Sequence, residues 1–430
     1  MNAVKQDPSL YKIVVTHYIT SSLCFLAVVI MMVFCAEDFS GHYFNPKLLA
    51  ITHLAALGWG TMIILGASYQ LLPVILETKL YSKILAWVSY VFFLPGIFCL
   101  VFSFWIFDPG IFMQSGSIFL LLAIVLYAVN VFFTADKGQQ DSIAQDFIGT
   151  ATLWLCFTAL LGTLLVFNFQ FPFLPKDHLD FLKLHAHMGI AGWFLLMIIG
   201  VSAKLLPMFL VSSYQNNQLL NLTYYLLNTA LILFLVDTYL YNLNAKTYVI
   251  AFVGIAGIVC YLLFVYQCFK FRIRKVMDLP MASTFLSFGL LGIAISIIPF
   301  IIYWHLDKNP ATIKYSMLYG TLLFMGWICA LILNQTFKTL PFIVWVKHYE
   351  HLTGKFKTPM PADLVNNSLL KIQAISFVAF CCTFFPGIFF GFTFLIYAGL
   401  GALLVTAVMY ILNVAGVILH KTRTENYDRI

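Results

Sequence analysis

Ten histidines are the side chains in this chain best suited to ligate a metal or move a proton near neutral pH. His53 and His187 stand inside long apolar runs, where an imidazole is costly unless it is paired, hydrated or metal-bound. Each opens a copy of the same wording. From His53 the chain reads HLAALGWGTMIILGASYQLLP, and from His187 it reads HMGIAGWFLLMIIGVSAKLLP. A third copy starts at Thr321, TLLFMGWICALILNQTFKTLP, with a hydroxyl where the others carry an imidazole. The starts at 53, 187 and 321 are 134 residues apart both times. Gly58-Trp59, Gly192-Trp193 and Gly326-Trp327 coincide, as do Pro73, Pro207 and Pro341, so the chain is three copies of one unit.

Composition names the solvent of those units. With 62% hydrophobic and 10% charged residues, the chain cannot cover itself with the charged surface a soluble domain needs. Twelve apolar runs reach the roughly 20 residues that cross a bilayer. They lie near 12–35, 46–73, 81–107, 110–134, 146–167, 184–208, 218–242, 245–270, 280–304, 313–341, 369–389 and 393–419. The alternating ten-residue segments of a membrane barrel are not visible. The expected fold is an all-α polytopic bundle forming a single domain over 1–430, with repeats at about 12–145, 146–279 and 280–419. Four crossings per unit return the chain to its starting side, so the repeats are parallel and related by a pseudo-threefold axis along the membrane normal. A segment of about 20 residues, 346–366, reads as an inserted loop in the third unit.

Eighteen of the 24 Lys and Arg residues fall at the termini and in the loops after even-numbered spans. The positive-inside rule then places both termini in the cytoplasm of a bacterial inner membrane. That flank accounts for the net charge of +7 without nucleic acid. Met1 to Lys12 leads straight into a span too long for a cleavable signal. The nine cysteines lack CxxC spacing and read as small apolar packing residues.

His42, His53, His178, His185, His187 and His305 gather toward the outer side, and His17, His348, His351 and His420 lie on or near the cytoplasmic face. Imidazole is a common ligand for heme iron and for copper. Asp237 is the one carboxylate well inside a span, placed either to orient an imidazole or to reach up to water. Gln70, Lys204 and Lys338, three places before each repeat proline, are expected to snorkel to the interface. The prolines themselves read as helix terminators, and the glycines of the GW pairs as points of close helix packing.

Twelve spans in three four-helix arcs, with histidines near the outer ends of spans 2 and 6, resemble subunit I of the heme-copper oxidase superfamily over nearly the whole chain. The wording H-x4-GW-x6-G-x3-Q-x-LP looks closer to small divergent oxidase subunit I-like proteins. It is also distantly similar to the NnrS proteins of the nitric-oxide response. The resemblance implies heme b and copper as cofactors. It maps an axial heme ligand onto His53 and a copper ligand onto His187 or His185. On an ideal helix His53 shares its face with Gly60, Ile64, Ala67 and Leu71, leaving room for a flat macrocycle. His187 shares its face with the bulkier Phe194, Ile198, Val201 and Leu205, which favours His53 as the heme ligand. A copper site from His185, His187 and an outer-side histidine requires an unwound segment after Pro175, because residues two apart diverge on a regular helix.

The departures from that family narrow the reading. Span 7, LLNLTYYLLNTALILFLVDTYLYN, lacks the family's histidine pair, and span 10 lacks both of its histidines. A complete binuclear centre, and with it proton-pumping oxygen reduction, is therefore not expected. The leading expectation is a heme- or copper-binding membrane oxidoreductase handling nitric oxide, oxygen or electrons, supplied by a protein or quinol donor and open to oligomerisation. The alternative is a non-redox transporter or scaffold subunit that retains the oxidase bundle.

Overall fold

In a computed structural model, which describes residues 10–138 and 142–422, the chain is all-helical. Twelve helices among the described residues are long and apolar enough to cross a membrane. They are α1 Tyr11–Phe34, α2 Pro46–Ile75, α3 Lys83–Ile106, α4 Ile111–Ala135, α5 Ile143–Gln170 and α6 His178–Leu210. The rest are α7 Gln218–Tyr241, α8 Lys246–Lys270, α9 Leu279–Leu306, α10 Ala311–Leu352, α11 Asn367–Phe390 and α12 Thr393–Ile418. The chain is a multi-pass membrane protein by the length and composition of these elements.

Short polar residues set several starts. The Asn45 side chain accepts the Lys47 N–H ahead of Pro46, Ser82 accepts from Leu85, and Ser142 accepts from Gln145. Each satisfies a backbone donor that the first helical turn leaves over.

Packing divides the chain into two compact units, and three of the four boundaries fall inside helices. Among the described residues the first joins 10–74, 278–291 and 324–422; the second joins 75–138, 142–277 and 292–323. In the first, α11 and α12 pack along each other and α12 also lies against α1. In the second, α3 packs on α4, α4 on α5, α5 on α6, and α7 on α8.

The departures from regular α-helix lie away from the prolines. Pro95, Pro299 and Pro386 are absorbed within α3, α9 and α11. Pro341 does not end its helix either: α10 stays α-helical to Tyr349 and closes with a 3₁₀ turn, Glu350–Leu352. The first part of the expected inserted loop is thus helix, because losing one N–H is tolerated where the rest of the ladder is intact. The breaks in regularity are instead three π-helical segments, Leu54–Thr61, Met188–Leu195 and Leu322–Ile328. Their first residues repeat the 134-residue spacing of the sequence copies.

Candidate functional site

The residue just before each π segment is His53, His187 or Thr321. His53 Nδ1 lies 2.7 Å from the Leu49 carbonyl oxygen, and His187 Nδ1 lies 2.8 Å from that of Lys183. At the third position Thr321 Oγ1 donates to the Met317 carbonyl at 2.9 Å. All three bonds reach back four residues. A carbonyl can only accept, so in both histidines Nδ1 carries the proton, which in the neutral ring leaves the lone pair on Nε2. That tautomer, held by a backbone carbonyl, is the one a metal-ligating imidazole needs.

The π segment changes which residues share a face with the histidine. Its extra residue rotates everything that follows by about 100° relative to an uninterrupted helix. Gly60 and Phe194, which ideal spacing sets beside the imidazoles, are buried. Ile64, Ala67 and Leu71 on α2, and Ile198 and Val201 on α6, stay partly accessible. The expected preference for His53 rests on an unbroken helical face, whereas the helix is π-helical from Leu54 to Thr61.

Neighbours distinguish the histidines better. The His187 ring lies 4.4 Å from Phe234 and 6.4 Å from Tyr319, centroid to centroid, and is nearly parallel to the tyrosine. His185 turns to α5: a Cβ added at Gly162 would come within 2.8 Å of its Cε1. The segment His178–His187 is regular α-helix, so the unwinding that would bring His185 and His187 onto one ion is absent. Among the described residues no three His, Cys, Asp or Glu side chains form a group able to hold a metal ion. His53 and His187 have the tautomer an axial imidazole would need, and the described residues do not bring together the three ligands of the copper site. Asp237 accepts a hydrogen bond from Asn244 Nδ2 at 2.8 Å, a tie to the loop that follows its own helix.

The GW pairs pack as their composition suggests. Trp59 stacks on Phe25 at 4.3 Å and meets Tyr410 edge-on at 5.3 Å. Ser21 Oγ donates to the Trp59 carbonyl at 2.9 Å, serving an acceptor inside the widened ladder. At Gly192 a Cβ would fall 2.6 Å from Trp154 Cγ, so only glycine lets α5 and α6 approach there.

Two placements were not legible in the sequence. His17, expected near the cytoplasmic face, is 0% exposed. It donates from Nδ1 to the Ile13 carbonyl at 2.8 Å and meets Tyr69 edge-on at 5.5 Å. Its signal is the same as that of His53, a histidine inside an apolar run. Lys338 and Lys204 each meet a carboxylate, which the sequence did not indicate. Lys338 Nζ lies 2.6 Å from Asp278 Oδ2, and Lys204 Nζ lies 3.6 Å from Glu77 Oε1. Gln70, at the corresponding place in the first copy, is buried.

No family model and no curated protein matches the chain.

Proposed function

We propose that this protein is a heme-binding integral membrane redox protein with an oxidase subunit I-like arrangement of three parallel repeats, acting in nitric oxide or oxygen handling. It carries no complete heme-copper binuclear centre. The observation that supports this reading is the pair of Nδ1–H···O=C bonds at His53 and His187. Each fixes the Nδ1-protonated tautomer inside an apolar helix, the form in which Nε2 could serve as an axial ligand.

A bound heme would supply one-electron transfer and an iron site for a diatomic ligand. The chain's own residues do the remaining work. His53 and His187 present Nε2 in a fixed tautomer, Leu49 and Lys183 hold the ring protons, and the apolar flanks exclude water. Electrons come from a quinol or a partner protein. The basic excess on the termini and even-numbered loops supports a cytoplasmic location for both ends in a bacterial inner membrane.

The packing of His187 between Phe234 and Tyr319 favours a second reading, in which the histidines are satisfied structural groups of a transporter or scaffold. A reduced-minus-oxidised visible spectrum with metal analysis separates the two, taken for wild type, His53→Ala and His187→Ala. A Soret band that is lost or shifted in either variant supports heme ligation. A colourless, iron-free wild type prepared with heme supplied during expression overturns it.

A further inference from the structure

We propose that the loop after α8 is a binding site for the headgroup of an anionic phospholipid, on the face of the bilayer that holds the basic excess. The segment Lys270-Phe271-Arg272-Ile273-Arg274-Lys275 places four cations within six residues. No Asp or Glu occurs between Asp237 and Asp278, and Asp278, three residues after Lys275, is held by Lys338. Within the same compact unit it pairs with a second acid-free stretch, Val211 to Asn217.

The site is built. Ile273 N–H donates to the Val211 carbonyl at 2.9 Å and Ser213 N–H donates to the Phe271 carbonyl at 3.2 Å, an antiparallel bridge that fixes the loop against its neighbour. Tyr214 stacks parallel to Phe271 at 6.1 Å and supports it from that second stretch. The Arg272 guanidinium lies 3.7 Å over the Phe269 ring, and Nη1 donates to the Phe269 carbonyl at 2.7 Å. Its Nε is buried and meets no acceptor among the described residues. The ring and the carbonyl hold Arg272 in place, and Arg274 and Lys275 beside it are exposed, with donors for a phosphate oxygen.

The apolar residues say which phosphate compound suits the loop. Phe271, Ile273 and Val276 are 47, 70 and 76% exposed, interleaved with the cations. Free phosphate has no use for them, whereas a phospholipid lays its acyl chains there while its headgroup meets Arg272, Arg274 and Lys275. An acidic soluble protein would leave the same large apolar residues without a lipid-like contact, so the lipid is the occupant that fits both chemistries.

The test is native mass spectrometry of the full chain in a neutral detergent, titrated with short-chain phosphatidylglycerol, short-chain phosphatidylcholine or inorganic phosphate. The expected result is a preference for phosphatidylglycerol over phosphatidylcholine, with no competition from equimolar inorganic phosphate. At roughly fivefold per cation near a membrane surface, R272Q/R274Q/K275Q loses on the order of a hundredfold of that preference. R274Q/K275Q alters only exposed side chains, so it keeps the fold and still loses part of it. Lys355→Gln with Lys357→Gln, on another loop, leaves the preference intact. Equal binding of the two lipids, displacement by inorganic phosphate, or an unchanged preference in R274Q/K275Q overturns the proposal. None of these outcomes depends on heme.

Discussion

Lys338 Nζ and Asp278 Oδ2 are 2.6 Å apart, joining α10 to the residue that precedes α9 within one compact unit. Asp278 also accepts the Met281 N–H at 3.1 Å, so one carboxylate closes an ion pair and caps a helix start. The side chains are only partly exposed. Removing one partner therefore leaves a poorly solvated charge. Lys338→Ala is expected to lower the thermal midpoint in detergent by the equivalent of about 1–3 kcal/mol. Asp278→Asn, which keeps an oxygen for the cap, costs less. Equal midpoints for K338A and wild type would show the pair to be energetically neutral.

Gly192 and Gly416 give a paired test of helix contact. Gly192→Ala drives a Cβ into Trp154 and is expected to destabilise by about 1–3 kcal/mol through overpacking. A Cβ at Gly416 meets nothing within 4 Å, so Gly416→Ala is neutral or raises stability by up to about 1 kcal/mol. Both are read from the unfolding midpoint, and the opposite ordering would contradict the packing described for α6.

His187→Phe separates packing from coordination. Phenylalanine keeps the ring contacts with Phe234 and Tyr319 but has no nitrogen. Expression and thermal stability are expected to stay close to wild type, while any spectral feature that depends on this imidazole disappears. His187→Ala loses both. A spectrum unchanged in His187→Phe removes this residue from the ligand set.

Cys35 lies just past the end of α1 and is buried. Burial first, and the carboxylate of Asp38 next, push its thiol above the usual range. A raised pKa means that less thiolate exists at any pH in the weakly alkaline window. Maleimide labelling of Cys35 in the folded protein at pH 8 is therefore expected to be slower than in the denatured chain, the gap narrowing as pH rises. Mass spectrometry of timed, quenched samples reads both rates. Equal rates at pH 8 would mean that Cys35 is accessible and ordinary.

Much of the scaffold was legible because lipid imposes a simple rule: each apolar run of sufficient length closes its own hydrogen bonds as a helix. The expected spans at 46–73 and 393–419 meet helices Pro46–Ile75 and Thr393–Ile418. The π segments were not legible, because a single extra residue in the ladder leaves no mark on hydropathy. The burial of His17 and the partner of Lys338 were hidden for another reason: both depend on helices far away in sequence, which periodicity within one helix does not encode. The helix past Pro341 was missed because proline's local preference was read where tertiary packing decides.

Thr321 precedes a π segment as His53 and His187 do, and it grips the same backward carbonyl without an imidazole. The widened turn therefore does not need histidine to exist. It is a property of the scaffold, on which two of three copies carry a nitrogen base. Thr321→His would place a third imidazole on a backbone already shaped to receive it. The fold thus offers one unclaimed address for a chemist wishing to install a ligand rather than remove one.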